Sequence, residues 1–277
     1  MNIARELYQH RDLMRLLMQS SLLKSTSGTK LGALWWVIDP LLMTLVYVVL
    51  VQFIRGGGKL LPAYPVFVMC GLVAWKCTAT CLSASITKMI TSDRLIKSYS
   101  FPIISLPISA VLVNFYLFFI AIIPLFGFTL VYHYVLNVEE VNLGWTIVLL
   151  PIVILPHLMI TIGLTLMFCT LAVFVQDVAN MTTHIMRIGW YFSAGLYSIS
   201  QVMPDYKGLW AIEEFTWKHI LILNPMVHVL EAYRSVLIYV RMPDFSALAV
   251  LYVLGFIFIA LGYRVFNHYQ IHFAKVL

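Results

Sequence analysis

The chain has 277 residues, of which 61% are hydrophobic and 11% charged, and it carries a net charge of +6 at pH 7. With a mean hydropathy of +0.90, and with charged residues far below the roughly 25% of an average soluble domain, a soluble fold is excluded. The basic residues are scattered between apolar runs and form no stripe with interleaved aromatics, which argues for membrane topology and against nucleic acid.

The amino-terminal stretch spreads Arg5, Glu6, Arg11, Asp12 and Arg15 where a cleavable leader would need a short apolar core, so this segment is expected to remain in the mature protein. Residues 4–24 place Leu7, Leu13, Met14, Leu16 and Leu17 towards one side and Arg5, Arg11, Arg15 and Gln19 largely towards the other. That division suits a helix lying in the membrane interface, the alternative being a plain solvated helix. Apolar windows follow near 35–54, 64–86, 103–132, 146–172, 182–201 and 246–266, each close to the roughly 20 residues that cross a hydrocarbon core. Six membrane-spanning helices are therefore expected. The amino-terminal segment, the 87–106 loop, the 173–188 segment and the tail from Arg264 together hold eleven Lys and Arg, against six on the opposite side, with Lys76 inside a span. Basic residues concentrate on cytoplasmic flanks, so both termini are placed in the cytoplasm and the protein in the cytoplasmic membrane.

The 87–106 segment, TKMITSDRLIKSYSFPIISL, is too charged to span and reads as a polar helix ended by Phe101-Pro102, long enough to dock another protein. Residues 219–240 make a further apolar stretch, but Asn224-Pro225 interrupts it and His228, Glu231 and Arg234 recur at i, i+3, i+6. A lipid-facing span would not carry that trio cheaply. The stretch is read as a re-entrant helical pair dipping from the outer face, with a seventh helix buried among its neighbours as the alternative. Glu231 and Arg234 are close enough along one helix to interact.

Little in the chain suggests catalysis. Cys70, Cys77, Cys81 and Cys169 all sit in apolar runs and read as small buried hydrophobes. Gly28-Thr29-Lys30 lacks the upstream glycine of a phosphate-binding loop, and Gly56-Gly57-Gly58-Lys59 is followed by Leu60, so ATP is expected to bind on another polypeptide. The glycine run serves more simply as the outer turn between the first two spans. The eight histidines are dispersed, His157 having no second His or carboxylate at i+3 or i+4, and no G-x-S-x-G elbow occurs. Neither a metal site nor a nucleophilic centre is expected.

Lys76 lies near the middle of the second span, where an ionisable side chain costs at least roughly 2.5–3.5 kcal/mol unless it meets water or a partner. It is expected to face the interior, either lining a path for a phosphorylated substrate or serving a structural ion pair. Asp39 is a possible partner, but it lies nearer the cytoplasmic boundary while the second span's side chains tilt towards the outside, which argues against the pair. Aromatics gather at both boundaries, with Trp35, Trp36 and Tyr99 inside and Tyr64, Tyr132, Tyr134, Trp145, Trp210 and Trp217 outside. An interfacial belt explains most of them.

Five segments, in order and spacing, resemble those of the ABC-2 type permeases that export lipid-linked polysaccharides and teichoic acids. They are LGALWWVIDPLL (31–42), CGLVAW (70–75), RLIKSYSFP (94–102), FVQD (174–177) and LNPMVHVLEAYRSVL (223–237). The resemblance covers nearly the whole length and implies one ABC-2 transmembrane domain, 1–277, of all-α class. Within it fall an interfacial amino-terminal helix (1–34), a six-helix bundle (35–266) and a cytoplasmic tail (267–277). The resemblance further implies a coupling region to a separate ATPase subunit, with ATP and Mg on that partner, formed by Asp93, Arg94, Leu95, Ile96, Lys97, Phe101 and Asp177. It implies a substrate path with Trp35, Tyr47, Lys76, Trp190, Tyr191 and Tyr197 as candidates, and an outer re-entrant element containing Asn224, Pro225, Glu231 and Arg234. The implied partners are the ATPase, a second copy of the chain, membrane lipid and an undecaprenyl-pyrophosphate-linked polymer. The FPIISLP run (101–107) resembles teichoic acid permeases most, with O-antigen or capsular polysaccharide next. At FVQD the chain departs from the family pattern, since Gln176 stands where an Arg is usual. An exporter of small lipids or drugs, an intramembrane polyprenyl-lipid enzyme and a secondary transporter are the competing classes. The last two lack, respectively, a cluster of acidic or histidine side chains and a second broken helix.

Overall fold

A computed structural model describes residues 10–26, 30–54, 63–98, 101–199 and 219–276. Arg5, Glu6, Leu7, the glycines at 28 and 56–58, Lys59, Tyr99, Trp210 and Trp217 lie outside the described residues.

The described residues form helices joined by turns, with no strand among them. In chain order these are α1 (Arg11–Thr26), α2 (Trp35–Ile54), α3 (Tyr64–Thr91), α4 (Asp93–Ser98), α5 (Ser105–Tyr134), α6 (Leu150–Phe174), α7 (Asp177–Phe192), α8 (His219–Leu223), α9 (Pro225–Leu237) and α10 (Phe245–Val276). Prolines open α3, α6 and α9, where the missing N–H is no loss and the fixed φ favours the first turn. Asp244 starts α10 by accepting from the Ser246 amide at 2.9 Å and hydroxyl at 2.6 Å, an acceptor suited to a helix N-terminus.

Five of these helices are long and apolar enough to cross a membrane: α2, α3, α5, α6 with its leading turn Trp145–Leu149, and α10. The fifth expected span, 182–201, is realised differently. Its helix, α7, starts earlier and ends at Phe192 after 16 residues, about 24 Å at 1.5 Å per residue and short of a ~30 Å core. Asn224 explains the stop, because its side-chain amide donates to Phe192 O at 3.3 Å and Ser193 Oγ at 2.8 Å. Its Oδ1 meanwhile accepts from Met226 N at 3.0 Å, so one residue caps the end of α7 and the start of α9.

The 219–240 stretch is two short helices divided at Asn224, not one continuous rod. Helix α9 is buried nearly all round, and a helix without a solvated face belongs inside a protein. Its Tyr233 hydroxyl lies 3.0 Å from His157 Nδ1 on α6, whose Nε2 lies 2.7 Å from Thr78 Oγ1 on α3. Both ring nitrogens are thereby matched, and three helices are tied through one buried side chain.

Helices α6 and α10 form the closest seam. A methyl group on Gly163 would run into the Phe258 backbone and one on Gly262 into Gly163, so the missing side chains let the two backbones meet, as small residues do between membrane helices. Helix α10 continues without a break to Val276, and Phe266 and Phe273 are fully buried. The expected tail from 267 is therefore the last turns of this helix, held by apolar packing.

Helix α1 is attached to the same end. Met14 and Leu17 pack with Ile86, Met89, Ile96, Phe266 and Phe273, while Leu16 and Leu23 remain 64% and 70% exposed. The apolar side expected to face lipid is thus divided between the bundle and the outside. Lys88 Nζ adds polar links, donating to Leu17 O at 3.2 Å, Ser21 Oγ at 2.9 Å and Ser109 Oγ at 2.8 Å.

Candidate functional site

Helices α2, α3 and α7 border a groove of about 280 Å³. Helices α2 and α7 run one way along it and α3 runs the other, yet all three deliver a charge to one level and an aromatic ring to the next. At the end nearer α4 stand the hydroxyls of Thr80 and Ser83 from α3 and of Thr182 and Thr183 from α7. Asp39, Lys76 and Arg187 occupy the middle, one from each helix. At the far end lie Tyr47, Trp75 and Trp190. Helical repeats of three and four produce this layering: Asp39, Met43 and Tyr47 share a face of α2, and Thr183, Arg187 and Trp190 share one of α7.

The aromatic layer is continuous, with ring centroids 5.9 Å apart for Tyr47 and Trp190 and 6.3 Å apart for Trp75 and Trp190. Trp75 Nε1 donates to Met186 O at 3.2 Å and fastens α3 to α7. The indole reaches that carbonyl because Gly189 has no side chain, a methyl there falling 2.8 Å from the Trp75 ring. In the hydroxyl layer Thr80 and Ser83 donate to carbonyls of their own helix at 2.8 and 2.9 Å, as Thr182 does at 2.6 Å. Their hydroxyl protons are thus taken by backbone carbonyls, leaving the oxygens lone pairs with which to accept.

Lys76 and Asp39 form an ion pair, with side chains 45% and 35% exposed. The expectation that depth would keep them apart is corrected by measuring depth from the end of α2 and the start of α3. Asp39 lies 15 residues before the end of α2 and Lys76 lies 12 residues after the start of α3, or about 22 and about 18 Å from those helix ends at 1.5 Å per residue. The lysine arm spans the remainder. Helix α3 is eight residues longer than α2, which is why Lys76 is central in its own helix yet level with a residue near the start of its neighbour. Lys76 and Thr80 also line a second cavity of about 230 Å³, against Trp36, Pro40, Asn114 and Phe118.

Of the expected path residues, Tyr47, Lys76 and Trp190 meet in the groove. Tyr191 is exposed beside it, and its carbonyl accepts from the Tyr197 hydroxyl at 3.1 Å. Trp35 is exposed at the start of α2, and its neighbour Trp36 lines the second cavity. Sequence reasoning missed Trp75, Arg187 and the four hydroxyl residues, although Lys76 with Thr80 and Ser83 at i+4 and i+7 marked one polar face of α3.

Helix α4 presents Arg94, Leu95 and Lys97 outward, and Ile96 anchors it in the cluster that also holds Met14, Phe101 and Phe273. Asp177 is exposed at the first turn of α7, and the next residues, Val178 and Ala179, pack on the same cluster. The expected coupling residues therefore share one end of the molecule. In the broken-helix element, Arg234 Nη1 lies 3.6 Å from Glu231 Oε2. Its Nη2 donates to Gly195 O at 3.0 Å, and its Cζ sits 3.5 Å from the centre of the Phe67 ring.

The described residues thus form a helical bundle with five candidate membrane spans and a groove graded from hydroxyl to ionic to aromatic. No family model matches the chain. It is similar to the O-antigen export system permease protein RfbA of Myxococcus xanthus, 26% identical over 273 residues that cover 99% of this chain and 98% of the relative. Two Klebsiella pneumoniae proteins of the same name are 24% and 25% identical over 266 residues, 96% of this chain and 95% of each relative. These nearly end-to-end likenesses support the ABC-2 polysaccharide export permease family and a transport role.

Proposed function

We propose that the chain is the permease subunit of an ATP-driven ABC exporter that moves an undecaprenyl-pyrophosphate-linked polysaccharide across the cytoplasmic membrane. The carrying observation is the half-exposed Asp39–Lys76 pair with Arg187 on the outer wall of an apolar bundle. Charges at that level do not face lipid cheaply, so this wall borders a hydrated space closed by something other than lipid. A second copy of the chain is the natural closure, putting two such grooves face to face. Hydroxyls and aromatic rings along one channel suit a sugar chain, which offers both hydrogen bonds and flat apolar faces. The name carried by the relatives favours an O-antigen-type polymer over the teichoic acid suggested by residues 101–107.

In this reading both termini are cytoplasmic, α7 with the turn after it serves as the fifth of six spans, and α8–α9 re-enters from the outer face. A separate ATPase subunit, carrying ATP and Mg, docks on Arg94, Leu95, Lys97 and Asp177. ATPase closure presses α4 against the base of α3, from which only Ser92 separates it, and the motion reaches Lys76 along one continuous helix.

Reconstitution in proteoliposomes with the co-encoded ATPase tests the function: lipid-linked polymer should be released only with both the second chain and hydrolysable ATP. Export by the permease alone, or driven by an ion gradient, would overturn the reading. The four native cysteines are buried, so an impermeant maleimide checks topology directly. A cysteine at Leu95 should label from the inside and one at Met242 from the outside.

A further inference from the structure

We propose that Lys76 and Arg187 form a subsite for a phosphoryl anion and that Asp39 is its resident counter-ion, displaced when the anion binds. The inference rests on reading the groove as the export path.

Three cationic or anionic side chains meet in the middle layer of the groove, two positive and one negative. The net charge of that layer is therefore one positive unit even with the ion pair made, so an anion entering from either end is attracted there. Asp39 engages Lys76, and no hydrogen bond or ion pair of Arg187 occurs among the described residues. Thr80 and Thr183 line the groove beside the cations, but the Thr80 hydroxyl donates to Lys76 O at 2.8 Å, so the attraction for an anion comes from the two cations. Lys76 borders the second cavity as well as the groove, whereas Asp39 borders the groove and is not among the residues lining that second cavity. The carboxylate thus holds the ammonium on the groove side, and a flexible four-carbon arm released from it is free to follow a moving anion.

The contrast with Arg234 supports displacement over a structural bond. Arg234 is fully buried and fixed by a carboxylate, a carbonyl and an aromatic ring. The Asp39–Lys76 pair is open to the groove, where an ion pair contributes little stability and a doubly charged phosphoryl group competes well for a lysine. The same chemistry is carried by the pyrophosphate link of the polymer and by the headgroup of an anionic phospholipid.

Titration calorimetry of the full-length permease in phosphatidylcholine nanodiscs, with inorganic pyrophosphate as the probe, tests the subsite apart from export. Removing the competing carboxylate in Asp39→Asn should tighten pyrophosphate binding about tenfold, or ~1.4 kcal/mol, while Asp39→Glu should match the parent. Lys76→Met should abolish binding and Arg187→Met should weaken it. Should Asp39→Asn fail to fold, the double variant Asp39→Asn with Lys76→Met removes both members of the ion pair, so neither is stranded, and should fold without binding. Repeating the titration with phosphatidylglycerol in the nanodisc separates the sources. Unchanged pyrophosphate affinity assigns the subsite to the polymer link, and competition by the lipid assigns it to a headgroup. Binding that is indifferent to Lys76→Met, or weakened by a folded Asp39→Asn, overturns the proposal. Absence of polymer export beside intact pyrophosphate binding would defeat the functional reading and leave the subsite standing.

Discussion

Arg234 and Lys76 are both cations within the helical bundle, each with an acidic partner, and they sit on either side of the aromatic layer formed by Trp190. Gly71 on α3 marks the boundary: a methyl placed there would meet Arg234 Nη2 at 2.8 Å and the Trp190 ring at 3.4 Å. Behind that layer Arg234 is 0% exposed and is held from three directions, with Glu231 alone reaching the surface at 37%. In front of it Lys76 is open and has a single acidic partner. The comparison separates two uses of charge in an apolar bundle. A buried cation held by a carboxylate, a carbonyl and an aromatic ring fixes one packing arrangement, because breaking those contacts leaves a charge stranded in an apolar interior. A half-exposed cation with one partner is available for exchange.

The largest expected effect comes from breaking the buried side. Arg234→Met should lower stability by about 3–5 kcal/mol, read as lost monodisperse yield and a lower unfolding temperature in detergent. Adding Glu231→Gln should restore part of it, since the stranded carboxylate is then removed. Equal damage from single and double variants would mean that the Gly195 and Phe67 contacts, not the charge pair, dominate.

Filling the slot sharpens the same point. Gly71→Ala should displace the guanidinium and cost about 1–3 kcal/mol, with loss from the aromatic layer visible as a changed tryptophan emission. An unchanged unfolding temperature would show that the guanidinium shifts freely.

On the open side, Lys76→Met should alter stability by no more than about 1 kcal/mol, the range for a solvent-screened pair. Polymer export in proteoliposomes should nevertheless fall at least about tenfold. Collapse of the fold would place Lys76 with Arg234 as a structural cation. The smallest stability effect, within about 0.5 kcal/mol, is expected for Arg94→Glu with Lys97→Glu on the exposed face of α4. Their consequence should appear as lost co-purification of the ATPase or as hydrolysis uncoupled from export.

Several features were legible from residues alone because their causes are local. Runs of about 20 apolar residues define spans wherever they fold, and five of the six expected windows coincide with long helices. Asn224-Pro225 broke the 219–240 stretch because a proline ring opens a helix and the asparagine caps it. The i, i+3 spacing of Glu231 and Arg234 brought them together on one turn. The shortened α7 was not legible, since the group that ends it is the Asn224 amide from a segment 31 residues downstream. The Asp39–Lys76 pair was misjudged for a related reason: each residue's depth was measured along its own helix, although helices of unequal length share a level only when counted from the end of one and the start of the next.

By itself, then, the sequence determined a membrane protein, its principal spans, the break before α9 and an exposed polar segment at α4, all consequences of hydropathy and backbone chemistry within a few turns. Only the tertiary structure decided which faces of α2, α3 and α7 meet, and hence that Asp39, Lys76 and Arg187 share one layer between hydroxyls and aromatic rings. Helix rotation and relative depth set that layer. Both are fixed by distant packing, by the Gly189 gap that admits Trp75 and by the Asn224 cap that ends α7, and neither is a property of any single segment.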